Sequence, residues 1–184
     1  MKASSSAAGE RTYPYDPGLN SAAISECGRY RYALSRAWGE GPRALFIMLN
    51  PSTADSSEDD PTLLACVDFS KRWGFAGVDL VNLFAWRSSE PMDLLTARDP
   101  VGPWNDVTLN AALGDKRIGR VVAAWGTSSK KALRDRIEAR AFAVRTIIRR
   151  GPARDVRCLG TTKDGKPRHP LYIARELAPA PYPV

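Results

Sequence analysis

Four short apolar runs constrain this chain more than anything else in it: ALFIML (44–49), GVDLVNLF (77–84), RVVAAWG (120–126) and DVRCLG (155–160). Their length and aliphatic content suit strands buried on both faces, the pattern of a parallel sheet covered by helices. Helical patterns fill the gaps between them. In DPTLLACVDFSKRWG (60–74), Asp60 is placed to cap a helix, Pro61 to open it and Gly74 to stop it. Leu63, Cys66, Val67 and Ser70 then share one face. A weaker helix is expected over roughly 104–114, with Asn105 as its cap, and a long one over about 129–149. This alternation predicts an α/β fold: three α/β/α layers around a central, mostly parallel four-stranded sheet. Before the first run, RYRYALSRAW (29–38) alternates with period two and predicts an additional edge strand.

A length of 184 residues suits one domain with a sizeable core. Residues 1–20 read as a polar arm and residues 21–184 as that domain. No run approaches the roughly 18 apolar residues of a membrane span. The N-terminus lacks the apolar centre of a secretory signal. The three cysteines are far apart and odd in number, with no CxxC or Cys/His cluster. The expectations are a cytoplasmic protein, a monomer without cofactor or metal. The net charge of +7 makes a polyanion a natural partner, through counterion release from phosphates.

Open parallel sheets bind ligands beyond the carboxyl ends of their strands. The polar residues there are Asn50, Asn82, the Trp125-Gly126 turn and the loop from Thr161 to His169. Asn50 ends the first run and is fixed by Pro51, with Asp55 a few residues on. Asn82 interrupts an apolar strand, and its amide can either read the edge of a base or satisfy nearby backbone. Phe84 and Trp86 follow it, as base-stacking candidates or as core. His169, the single histidine, follows a basic loop in which Lys163, Lys166 and Arg168 can grip phosphates. Asp60 reads as a helix cap. The stripe of Lys130, Lys131, Arg134, Arg145 and Arg149 reads as the solvated side of the long helix.

In order as well as content, these motifs resemble those of the uracil-DNA glycosylase superfamily. ALFIMLNPSTAD (44–55) is similar to the first motif of its mismatch-specific branch, where a strand ends in Gly-Ile-Asn-Pro-Gly. VDLVNLFAWRSSEP (78–91) is similar to the second strand with its base-reading Asn. VVAAWG (121–126) resembles the apolar strand ending in glycine, and RHPLYI (168–173) the His-Pro motif before the minor-groove wedge. The pattern MLNPSTAD…DDPT…NLFA also resembles a family of small bacterial proteins of unknown function. The likeness spans about residues 26–177. It departs from the superfamily pattern at Met48, Leu49, Ser52 and Leu171, which implies an altered pocket.

The resemblance implies a DNA N-glycosylase that flips a base out of the helix and excises it. Asn50, with Asp55, would position the attacking water, and Asn82, with Phe84 or Trp86, would hold the base. His169 would stabilise the departing anion. Lys163, Lys166 and Arg168 would hold the backbone while Leu171 or Tyr172 fills the gap in the stack. A hypermodified phage base such as glucosylated hydroxymethylcytosine, in anti-phage defence, and uracil in repair are the substrates considered. Two alternatives stand beside this reading: a metal-dependent phosphoesterase built on Asp55, Asp59 and Asp60, and a non-catalytic nucleic-acid-binding module.

Overall fold

The computed structural model describes Tyr15 and residues 18–52, 59–152 and 155–184. The four apolar runs form β3 (Arg43–Met48), β4 (Gly77–Asn82), β5 (Ile118–Ala123) and β6 (Val156–Cys158), paired in parallel in the order β4-β3-β5-β6. Every residue of β3 and β4 is buried, as runs without alternation require.

The sheet is larger and more mixed than four parallel strands. β1 (Asn20–Ile24) and β2 (Arg31–Ala37) form an antiparallel pair, and β2 lies antiparallel to β4. At the opposite edge β7 (Ala180–Pro181) runs antiparallel to β6. Among the described residues the result is seven strands in the order β1-β2-β4-β3-β5-β6-β7. The expected edge strand is therefore an interior one. β1 covers it, starting at the last residue of the segment read as an arm, and Tyr15 packs against the core. β7 consists of two residues in a proline-rich tail, where no pattern could announce it. An edge is where a proline costs no ladder bond.

Among the described residues three α-helices cover the sheet on both sides. Helix α1 (Pro61–Arg72) buries Leu63, Cys66 and Phe69 against Phe46, Met48, Val78 and Leu80 on one face. Helices α2 (Asn105–Gly114) and α3 (Lys131–Arg150) cover the other, where Leu109, Leu113, Leu133, Ile137 and Val144 meet Leu45, Ile47, Val81 and Val121. Asp60 caps α1 as expected, its carboxylate accepting the Leu63 N–H at 2.7 Å, a contact worth about 1 kcal/mol. Asn105 does not cap α2. It is the first helical residue, fully buried, and its amide turns inward to β4. No helix among the described residues is long and apolar enough to cross a membrane.

The connections decide where a ligand can sit. The chain leaves β3 toward α1 on one face and reaches β4 on one side. It leaves β4 toward α2 on the other face and crosses to β5, on the far side of β3. The loops beyond β3 and β5 thus diverge, opening a crevice between them at the carboxyl ends of the strands.

Candidate functional site

That crevice is a cleft of about 280 Å³, near the lower end of the range for small-ligand sites. Met48 and Leu80 line it where the sheet contributes apolar surface, and Asn82 joins them two residues beyond Leu80 on the same face of β4. Asn50 and Ser52 enter from the loop after β3, Asp60 and Thr62 from the start of α1, and Trp125, Gly126 and Thr127 from the turn after β5. His169 and Arg31, the first residue of β2, complete the charged and titratable part of the lining.

Asn82 is the least expected feature. It is 2% exposed, and its amide nitrogen is buried without a hydrogen-bond partner. An unmet buried donor costs about 1–3 kcal/mol, and native cores rarely tolerate one. Its backbone, by contrast, is held firmly. The Asn105 amide donates to the carbonyls of Asn82 and Leu83, both at 3.0 Å, and the Arg140 guanidinium donates to Leu83 at 2.6 Å. A rigid strand end therefore presents one open donor to the cleft.

Asn50 is open in the opposite sense. Its amide nitrogen donates to the carbonyls of Ser88 (2.8 Å) and Pro51 (3.2 Å). Both N–H groups are thereby engaged, which leaves the side-chain oxygen as the group that can accept from a ligand or water. His169 stands just before a short 3-10 turn, Pro170–Tyr172, and its Nδ1 accepts the N–H of Leu171 at 3.3 Å. With Nδ1 accepting, the neutral ring carries its proton on Nε2 as a donor. Burial pushes its pKa below the usual value, opposed in part by the charge of Asp60. At neutral pH the imidazole is therefore uncharged.

Gly126 turns with φ of +70°, and a Cβ there would lie 3.6 Å from that of His169. The turn thus brings β5 directly against the histidine in a conformation that favours glycine. Arg175 ties the 3-10 turn after His169 to α1. It donates to the carbonyl of Pro170 at 3.0 Å, lies over the Phe69 ring and faces Asp68 at 3.6 Å.

Asn50, Asn82 and His169, expected from the sequence as site residues, thus meet in one cleft. Asp55 lies outside the described residues. The two base-stacking candidates are not there. Phe84 is 2% exposed within the core under α2 and α3, because the residue after Leu83 closes that face. Trp86 bridges to Tyr30, the two rings meeting edge to face at 5.6 Å between centroids. Lys166 spends its charge on Glu138 of α3, leaving Lys163 and Arg168 exposed in that loop. Leu171 is half-buried and Tyr172 is 85% exposed beside the histidine turn. The α3 stripe is broken up, with Lys131 paired to Asp135 and Arg145 bonded to Tyr182 at 2.5 Å. Asp59 turns away to Arg36, at 2.7 and 2.9 Å, rather than joining Asp60. Among the described residues no group of three or more His, Cys, Asp or Glu is placed to hold a metal ion. Arg31 was hidden from sequence reasoning by its setting in an alternating strand, and Asn105 by its resemblance to a helix cap.

A larger hollow, about 750 Å³, opens at the amino ends of the strands beside Gly39, Gly41, Pro42, Lys116 and Arg117. Size does not make it the better site. Its buried charge, Arg43, is bound through two hydrogen bonds of 2.8 and 2.6 Å to Asp79, and it lies opposite the switch point.

Fold and cleft define an α/β protein with a cleft at the topological switch point of its sheet. The chain belongs to the family described as "Protein of unknown function (DUF1643)", whose model matches residues 31–171. That segment runs from Arg31 to just past His169 and so contains every residue lining the cleft. No curated protein and no solved structure matches the chain.

Proposed function

We propose that this protein is a DNA N-glycosylase that binds a flipped-out base in the cleft and hydrolyses its bond to the sugar. The observation that carries this reading is the open amide donor of Asn82, set in one cleft with the acceptor oxygen of Asn50 and the imidazole of His169. Glycosidic cleavage builds positive charge on the sugar and negative charge on the leaving base. A neutral histidine with its proton on Nε2 can donate to that anion without being charged first. The Asn50 oxygen accepts a hydrogen of the attacking water, and the Asn82 amide donates to an acceptor on the base edge, such as a ring carbonyl.

The exposed Lys163 and Arg168 and the net charge of +7 favour a phosphate backbone as the partner. Tyr172, almost fully exposed beside His169, is free to enter the gap left by an extruded base. A modified base of phage DNA, as in a defence role, suits the altered first motif; uracil in repair is the other candidate.

The test is incubation with glucosylated phage DNA, other modified DNAs and uracil DNA, with mass spectrometry for free base. Release of one base by the wild type, lost in Asn50→Ala and His169→Ala, is the expected result. Tight, salt-sensitive binding with no base released from any of these DNAs would overturn it in favour of a non-catalytic binding module.

A further inference from the structure

Capping explains only part of what Asp60 does. One carboxylate oxygen, Oδ1, accepts the Leu63 N–H, and the other, Oδ2, accepts the Ser52 hydroxyl. A carboxylate has about four lone-pair sites, so two bonds leave it acceptor capacity. Asp60 is also the one carboxylate among the described residues that line the cleft, which it shares with His169. Four other charged groups lie on the elements around that histidine. Arg31 of β2 lines the same cleft, and Arg168 adjoins it in sequence, exposed. Arg175 is engaged with Pro170 and Asp68 behind the turn, and Lys166 is paired to Glu138 of α3. Among the described residues, Asp60 is the negative group that acts on the imidazole, in opposition to the larger effect of burial.

We propose that Asp60 is a positioning residue of the cleft, whose charge, fixed by Leu63 and Ser52, favours a proton on His169 against the stronger effect of burial and steadies positive charge developing on a bound sugar. The second part of that role rests on the glycosylase reading, whereas the coupling of carboxylate to imidazole stands apart from it. The same charge that opposes burial at His169 also favours an oxocarbenium-like sugar over a neutral one. The cap gives this carboxylate a fixed position at the start of a helix, which suits an electrostatic group better than a mobile loop would.

The chain has a single histidine, so NMR can follow the imidazole of the full-length protein through pH without ambiguity. Asp60→Asn removes the charge while retaining a good helix cap, its NH2 group donating to the Ser52 hydroxyl where the carboxylate had accepted from it, and Asp60→Ser removes the charge with a smaller cap. Both are expected to lower the pKa of His169. Asp59→Asn, whose carboxylate faces Arg36 instead, is expected to leave it unchanged. Base release by Asp60→Asn is expected to slow by about 10-fold or more, in kcat rather than KM. An unmoved titration in the Asp60 variants, or an equal shift in Asp59→Asn, would overturn the proposal even if the wild type releases a base. The expected shift in a protein that releases no base would instead sustain the coupling and remove the glycosylase reading.

Discussion

Strand β4 carries two buried polar residues three positions apart, Asp79 and Asn82, and the sheet treats them in opposite ways. Asp79 is fully buried toward the amino end and closed by Arg43, whose guanidinium meets it with two hydrogen bonds. Asn82 is buried toward the carboxyl end with its amide nitrogen unmet. Such a closed ion pair belongs to the architecture, because low-dielectric surroundings make each partner dependent on the other. An open donor on a rigid strand end lowers stability until a ligand or water meets it. The lesson is that burial and polarity do not mark a site; an unmet hydrogen bond facing a cleft does.

The largest effect should come from breaking the closed end. Asp79→Ala leaves Arg43 buried without its counter-charge and is expected to cost about 3–5 kcal/mol in urea denaturation. A loss below 1 kcal/mol would mean that the two ends are not so different. At the open end, His169→Ala should lower base release by about 10²–10³-fold while the melting temperature changes little. The sharpest contrast is Asn82→Leu. Removing an unmet donor should leave stability unchanged or raise it by about 1 kcal/mol, while base binding is lost. A marked fall in stability would show that Asn82 is structural after all.

The smallest expected effect is on pH dependence. Because burial holds the folded-state pKa of His169 below its unfolded value near 6.5, the unfolded chain takes up the proton first as pH falls. Stability therefore declines through a window beginning near pH 6.5 and ending at the lower, folded pKa. His169→Gln should remove this component. Urea unfolding at pH 7.5 and 5.5 reads it directly, as a smaller difference between the two pH values in the variant than in the wild type.

The parallel core and α1 were legible in the sequence because each rests on local signals: aliphatic runs for β3 to β5, and the Asp60-Pro61 start for α1. β1 and β7 were not, since their pairing depends on long-range contacts with β2 and β6 rather than on any pattern of their own. At the site, strand-end position singled out Asn50 and Asn82, and rarity singled out His169. The same logic misplaced Phe84 and Trp86, since neither direction along the chain nor aromatic character tells a cleft from a core. Asn105 shows the limit from the other side: a residue suited to capping instead braces the strand end behind Asn82.

The most direct test of the central claim compares base release from modified and uracil DNA by the wild type, Asn82→Leu and His169→Gln, each first matched for folding by its melting curve. The account predicts one base released by the wild type and none by either folded variant. Release that persists in both variants would place the chemistry outside the cleft, and its absence from the wild type on every DNA tried would contradict the claim that the cleft excises a base.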